Sequence, residues 1–267
     1  MFGKFAVCEP PQEKWTVQES NATFGQLLEV WAVKNVETEN KEPKLRIVFN
    51  GKNVRDTNNE KVTFEVTERY RPTNFKEVRI LITFSLLQGW NVFEFDLVGA
   101  YLNAEIPEEH PTYCTIDPNL QKEVHKIMGW PPCTLRKPVY KLKRAVYGHH
   151  LSGDWFSSWA ASDLREFGFV LIQPEISDSF WIYRDQRGDI TGVFVIYVDD
   201  CLAGMSDSLA EEFKAFLEAR YELREWRTLT RNLGINYQIF RNLHAEGEHR
   251  FVAEMVEYVN EAVKLFT

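Results

Sequence analysis

Positive charge is in deficit along this chain. Lys and Arg number 31 against 39 Asp and Glu, a formal net charge of −8, and that sign argues against a protein that holds nucleic acid by bulk positive charge. Cysteine is scarce as well. Cys8, Cys114, Cys133 and Cys201 lie far apart with no paired metal-ligand spacing, which disfavours a zinc module and suits free thiols in a reducing compartment. No apolar run approaches the roughly 20 residues that cross a bilayer, and Met1-Phe2-Gly3-Lys4-Phe5 leads into no apolar stretch with a small-residue cleavage site. Membrane insertion and secretion are therefore disfavoured, and an intracellular setting is expected. Internal repeats and low-complexity segments are lacking too.

What is present suits a globular protein. Over 267 residues, 44% are hydrophobic and 26% charged, enough for a sizeable core in one domain or a few subdomains. Aromatic residues reach 14%, which promises a filled core or exposed stacking surfaces. The charge is unevenly spread. Arg136 to Arg144 reads RKPVYKLKR, with five cations and no acid, shortly after the acidic Glu105, Glu108, Glu109, Asp117 and Glu123.

The most informative stretch is Val193 to Gly204, VFVIYVDDCLAG. A β-branched and aromatic run climbs to Asp199-Asp200 and a second apolar run descends to glycine, which reads as a β-hairpin with the two acids at its tip. Asp suits turns, so a polar turn between buried strands is one reading. The other is a cation site, because adjacent carboxylates repel and hard divalent cations take carboxylate oxygens. A third carboxylate at a strand end would separate the two, and Trp90 to Phe95 runs into Asp96. An N-cap role for Asp96 is the plainer alternative.

Along the rest of the chain, residues 1–28 read as an extended, loosely packed lead-in with Pro10-Pro11. Strands are expected over Glu29–Asn35 and Lys44–Phe49, with a tight turn at Asn50-Gly51 and a β region continuing over Lys61–Arg69. A helix opens at Asn74, carries Val78, Leu81, Ile82, Ser85 and Leu86 on one face, and ends near Gly89. A long proline-rich connection follows from Pro107 to Pro132. An amphipathic helix runs from Ser152 to a Gly168 C-cap, with its tryptophans read as core. Phe180–Tyr183 is a strand, Ser206 or Asp207 caps a helix bearing Leu209, Phe213, Phe216 and Leu217, Leu233–Tyr237 is a strand and Glu254–Phe266 a closing helix.

If Asp96 and the Asp199-Asp200 tip lie on adjacent strands, three carboxylates meet at one sheet edge. Such a cluster suits two divalent ions roughly 4 Å apart acting on an in-line displacement at phosphorus.

These residues resemble a known family. Tyr197-Val198-Asp199-Asp200 resembles the YxDD box of reverse transcriptases, and Asp96-Leu97-Val98-Gly99-Ala100-Tyr101-Leu102-Asn103 resembles their first palm motif, specifically that of copia-type long-terminal-repeat retrotransposons. The resemblance runs in order from about Trp31: Lys44–Val48, Leu135–Gly148, Asp178-Ser179-Phe180 and Leu233-Gly234-Ile235 all find counterparts. It implies an α+β right-hand polymerase fold, with an antiparallel palm sheet carrying helices on one face. The implied division is a lead-in at 1–28, fingers at 29–89, palm at 90–110, a fingers return at 111–150, palm again at 151–230, and a primer grip with the start of a thumb at 231–267.

The implied function is RNA-directed DNA polymerisation: extension of a primer with deoxynucleotides on an RNA or DNA template, using two Mg²⁺ ions that Mn²⁺ can replace. By the same resemblance Asp96, Asp199 and Asp200 form the catalytic metal triad, with the Leu97 carbonyl as a further ligand. Tyr101 sits under the incoming sugar and excludes a 2′-hydroxyl, Arg46 and Lys44 grip the triphosphate, and Leu151 occupies a nucleotide-contacting position. Tyr197, Val198, Leu233 and Gly234 touch the primer and template. A homodimer, or the ribonuclease H and integrase portions of a polyprotein, are the implied protein partners, no segment of the latter kind being expected within these residues. A cytoplasmic or nuclear location, within a virus-like particle, follows from the family.

The chain departs from the pattern after Tyr147-Gly148. Leu151 stands for a glutamine, His150 for a lysine and Asp154 for an arginine, and Arg227 stands where glycine is common. Losing a polar contact and reversing a charge beside a triphosphate weakens its binding. The alternative function is accordingly a reverse-transcriptase-like domain of weak or no activity, serving as a nucleic-acid or protein-binding module. A metal site at His149-His150 is disfavoured because adjacent side chains point apart. A generic two-metal phosphatase or nuclease lacks the histidines and extra acids such sites show.

Overall fold

The computed structural model describes residues 2–34, 42–63, 73–172, 174–175, 177–232, 235–240 and 250–254. The elements in chain order are α1 (Phe2–Phe5), β1 (Gln12–Glu13), β2 (Thr23–Lys34), β3 (Glu42–Phe49), α2 (Phe75–Leu87), β4 (Asn91–Leu97), α3 (Ala100–Asn103), β5 (Thr112–Ile116), α4 (Pro118–Met128) and β6 (Pro138–Lys141). They continue with α5 (Ser152–Phe167), β7 (Phe169–Leu171), β8 (Phe180–Arg184), β9 (Ile190–Tyr197), β10 (Asp200–Met205), α6 (Asp207–Glu218), β11 (Leu223–Thr228), β12 (Arg231–Asn232), β13 (Ile235–Phe240) and β14 (Arg250–Glu254). The chain divides into two compact units, Met1–Arg69 with Gly99–Ala160, and Tyr70–Val98 with Ala161–Thr267.

The first unit is built on a mixed sheet of order β1-β6-β5-β2-β3, in which β2 and β5 run parallel. Phe2, Val7, Leu27, Phe49, Cys114 and Tyr140 form its core with their neighbours. Two expectations are corrected here. The N-terminal residues are no loose lead-in: Phe2, Val7 and Cys8 are buried, and β2 starts at Thr23 because Thr23–Leu27 pairs with Thr112–Ile116. The supposed connection after Pro107 is structured, holding β5, α4 and β6. Its helix begins at a proline behind Asp117, whose side chain accepts from the Asn119 N–H, and stops at Gly129 in the left-handed region. The tight turn expected at Asn50-Gly51 is there, as a 3₁₀ turn over Gly51–Asn53 closed by the Asn53 N–H on the Asn50 carbonyl at 3.2 Å. Lys61 bridges Arg55, and the further β expectation over 64–69 lies outside the described residues.

The second unit centres on a six-stranded sheet of order β11-β4-β10-β9-β8-β7, antiparallel at every pairing. Its central strand, β9, is buried without interruption from Gly192 to Ile196, the mark of a strand covered on both faces. On one face Val193, Val195 and Leu202 pack with Val78, Leu81, Ile82 and Leu86 of α2. That helix is fixed at its start by a reciprocal cap: Asn74 accepts from the Glu77 N–H and Glu77 accepts from the Asn74 N–H. On the opposite face Phe194 meets Phe213 of α6 at 5.2 Å and Phe169 at 5.8 Å between ring centroids. The expectation of helices on one face is therefore corrected: Phe95 of β4, Phe169 of β7 and Phe194 of β9 form a second layer with Phe213 of α6. A small sheet, β12-β13-β14, contributes Ile235 and Tyr237 to the α2 side of this core. Glu254 ends a strand, and the closing helix expected beyond it lies outside the described residues.

Gly204 sets how closely α2 approaches β10. A Cβ there would lie 1.8 Å from Ser85 Oγ and 3.0 Å from Ser85 Cβ. Gly204→Ala is expected to destabilise the protein by about 1–3 kcal/mol in urea unfolding through overpacking. Adding Ser85→Gly should return part of that loss, and two strictly additive effects would show that the close approach is not the cause.

Candidate active site

The three acids arrive at one edge of the second unit's sheet through strand register. β9 and β10 join by a two-residue turn, Val198-Asp199, with Tyr197 paired to Asp200. On its other side Asp200 is paired with Asp96 of β4. Asp96 lies inside its strand, which removes the helix-cap reading. Residues directly opposite in an antiparallel pair place their Cβ atoms about 4.5–5.5 Å apart. Asp199 is tied to the same edge by its backbone, since the Leu97 N–H donates to the Asp199 carbonyl at 2.9 Å. Val198 takes φ +56, a left-handed conformation that β-branched residues avoid and that the first position of a tight hairpin turn demands. Its side chain is nonetheless buried, while Tyr197 is 37% exposed.

Two carboxylates in register are held at an electrostatic cost. Burial, then Asp199, Asp96 and Glu94, push the Asp200 carboxyl up to about 6 from an ordinary 3.8. Burial also raises Asp96, as do Glu225, Asp199 and Glu94, while Arg224 opposes the shift. Arg224 stands across from Asp96 on β11.

Glu94, Glu225 and Arg227 escaped sequence reading as site residues. Glu94 precedes Asp96 by two on β4, so both point to the same side, and its side chain is 6% exposed. It accepts from Arg227 Nε at 2.6 Å and from Thr230 Oγ1 at 2.8 Å. A β-bulge in β11 between Arg224 and Arg227 puts Glu225 at φ +60, and Glu225 meets the Arg227 guanidinium at 3.1 Å. Trp226, between them, stacks on Phe95 at 4.5 Å and on Phe93 at 5.6 Å. A cleft of about 30 Å³ results, lined by Glu94, Asp96, Asp200, Glu225 and Arg227, room enough for an ion or a water or two.

Compared with known protein families, residues 14–263 match the reverse transcriptase (RNA-dependent DNA polymerase) family. The chain belongs to the reverse transcriptase family. Among solved structures it is similar to a foamy viral protease-reverse transcriptase in complex with double-stranded DNA, at 15% identity and a TM-score of 0.42, covering 88% of this chain and 31% of that one. It is similar to telomerase from Candida albicans in complex with a telomeric RNA fragment, at 12% identity and a TM-score of 0.42, covering 86% of this chain and 47% of that one. Likenesses that distant carry none of the argument, and the chain spans less than half of either protein's length. No curated protein matches the chain.

Reverse transcriptases generally work with divalent metal ions. The donor set here fits one: oxygen ligands only, in acids whose mutual repulsion a cation would relieve. Among the described residues no three acidic, histidine or cysteine groups already stand in an ion-holding arrangement. No helix among them is long and apolar enough to cross a membrane.

The remaining residues expected at a reverse transcriptase site belong to the first unit or lie outside the described residues. Tyr101, on α3, packs edge-on to Tyr147 at 4.7 Å and Phe156 at 5.8 Å. Lys44 and Arg46 alternate along β3 and share one of its faces, opposite Ala32 and Val30 of β2. Leu151 is half-buried and its N–H donates to His149 Nδ1 at 3.1 Å. His149 is buried, stacked on Trp155 at 4.6 Å, and burial drives its imidazole down to about 3, whereas His150 Nε2 bonds the Gly51 carbonyl. The pair does point apart, and His149 is a core residue. Leu233 and Gly234 lie outside the described residues.

The raised Asp200 fixes the sign of a pH effect. A carboxyl that binds its proton more tightly folded than unfolded adds stability at low pH and loses it as pH rises through about 6. In chelator, Asp200→Asn should exceed the wild type by a few degrees in Tm at pH 7.5, on the order of 1 kcal/mol after solvent screening. The two curves should converge near pH 4. Parallel Tm curves from pH 4 to 8 would refute the raised Asp200 carboxyl.

Proposed function

We propose that this chain is an RNA-directed DNA polymerase domain of the copia type, extending a primer with deoxynucleotides on a nucleic-acid template. The observation that carries the reading is the register of Asp96 against Asp200, with Asp199 in the turn beside them. On this reading the six-stranded sheet is the palm, the first unit supplies fingers, and Asp96 and Asp199 bind the metal directly, with the Leu97 carbonyl as a further ligand and Asp200 more peripheral. Bound Mg²⁺ would supply charge for the attacking 3′-hydroxyl and for the leaving pyrophosphate. The protein's own part is positional. The β4–β10 ladder fixes the separation of the acids, and the aromatic layer beneath Phe95 and Phe194 keeps that ladder from yielding. Tyr101 is assigned to exclude a 2′-hydroxyl, and Lys44 with Arg46 to hold the triphosphate.

A second reading, a binding module with weak catalysis, is favoured by how the first unit uses its cations. Lys141 pairs with Glu19 at 2.7 Å, and Arg144 with Glu105 at 3.2 Å and the Asn103 carbonyl, so two of the five cations of the basic stretch are engaged within the unit. Leu151 and Asp154 support the same reading, in place of a glutamine and an arginine.

Primer extension on annealed RNA with Mg²⁺ and deoxynucleotides separates the two. The wild type should extend, and Asp199→Asn should lose at least about a hundredfold in rate. A folded wild type that binds the template-primer in fluorescence anisotropy without extending it would establish the binding module instead. Leu151→Gln with Asp154→Arg is expected to raise the wild-type rate.

A further inference from the structure

Among the described residues that line the cleft, Glu94, Asp96, Asp200 and Glu225 are acidic, and Arg227 is the cation fixed within it. Its placement is over-determined. The β11 bulge turns Trp226 onto Phe95 and so sends Glu225 and Arg227 to the side that carries Asp96 and Asp200. Arg227 Nε then donates to Glu94 Oε1, on an acid buried on the strand of Asp96, and the Thr230 hydroxyl donates to the same oxygen. Its guanidinium also reaches Glu225 at 3.1 Å. A half-exposed arginine with no anchor would swing into water; this one is pinned by a carboxylate that itself cannot leave the strand.

We propose that Arg227, anchored by Glu94, is a positioning residue that acts as the resident counter-charge of the carboxylate cleft and sets how tightly the cleft holds a divalent cation. The inference rests on the metal-binding role assigned to Asp96 and Asp199. Arg227 touches neither metal nor substrate on this account. It compensates Glu94, whose charge would otherwise add to the attraction for the ion, and its own charge repels the ion across the cleft, so the two residues move cation affinity in opposite directions. Glu225, which meets the guanidinium at 3.1 Å, is the weaker partner because it is half-exposed and screened.

Mn²⁺ binding by electron paramagnetic resonance of the free ion, at pH 8 and without nucleic acid, tests this apart from catalysis. Arg227→Ala should lower the Mn²⁺ Kd about tenfold and Arg227→Lys should stay near the wild type, as expected for one unit charge a few ångströms from the ion. Glu94→Gln keeps an acceptor for Arg227 and Thr230 while deleting the negative charge, so it should raise the Kd several-fold. It serves also if Arg227→Ala fails to fold. The double variant Glu94→Gln with Arg227→Ala should return towards the wild type. The control is Asp96→Asn. If that variant binds Mn²⁺ as the wild type does, the metal-binding reading itself fails. If Asp96→Asn abolishes binding while Arg227→Ala and Glu94→Gln leave the Kd unchanged, the metal reading stands and the counter-charge role is overturned.

Discussion

Repulsion between Asp96 and Asp200 is the constraint on which the second unit depends. Left to themselves two carboxylates in direct register would separate or take up a proton; here burial raises both carboxyls, and Asp199, Asp96 and Glu94 raise that of Asp200 further. What prevents separation is the sheet. Asp200 is paired on both sides, to Tyr197 and to Asp96, and the backbone of Asp199 is tied to Leu97, so neither strand can slide without breaking a ladder of hydrogen bonds. A register slip of one residue would also turn Leu202 and Val195 out of the core. Hydrophobic packing on β9 and β10 thereby holds the charges together at their tips.

The two faces of the sheet divide the labour. Beneath the acids lies an aromatic layer, Phe95 against Phe194 and Trp226, continued through Phe169 and Phe213. Such rings bury much area with few rotamers, which makes a stiff support. The other face carries α2, brought close by Gly204 against Ser85. The same Trp226 that thickens the aromatic layer defines the bulge, so the packing of one face decides which charges appear on the other.

How much of this was legible follows from range in sequence. The β9–β10 hairpin, α2 with its Asn74 cap, α5 and α6 declare themselves by local period and capping residues, and the paired acids announce the site. The first unit's sheet does not, because β2 pairs in parallel with a strand some 90 residues away and β6 spans only four residues. Proline-rich spacing between Pro107 and Pro132 reads as a loop until β5 supplies a partner. Glu94 was hidden for a different reason: an acid alternating with phenylalanines in a strand reads as a solvent-facing position, and only Arg227 and Thr230, more than 130 residues on, make it a buried one. Glu225 gives no signal at all, since its positive φ is imposed by the bulge and not preferred by its side chain. His149-His150, by contrast, was readable from backbone geometry alone.

The acid surplus of the chain is reconciled with a polymerase site by distance. Net charge acts over a Debye length of about 8 Å at physiological salt, whereas an ion in the cleft feels groups within direct reach of it. There the sum is set by Asp96, Asp199, Asp200, Glu94 and Glu225 against Arg224 and Arg227, and no count over the whole chain predicts it. In the first unit Lys141 and Arg144, two of the five cations of the basic stretch, are already matched by Glu19 and Glu105. Electrostatics at these positions is thus local and paired. Affinity for an ion or a phosphate depends on which pair opens to receive it, and an anchored arginine beside two opposed carboxylates is where that choice bears most directly on chemistry.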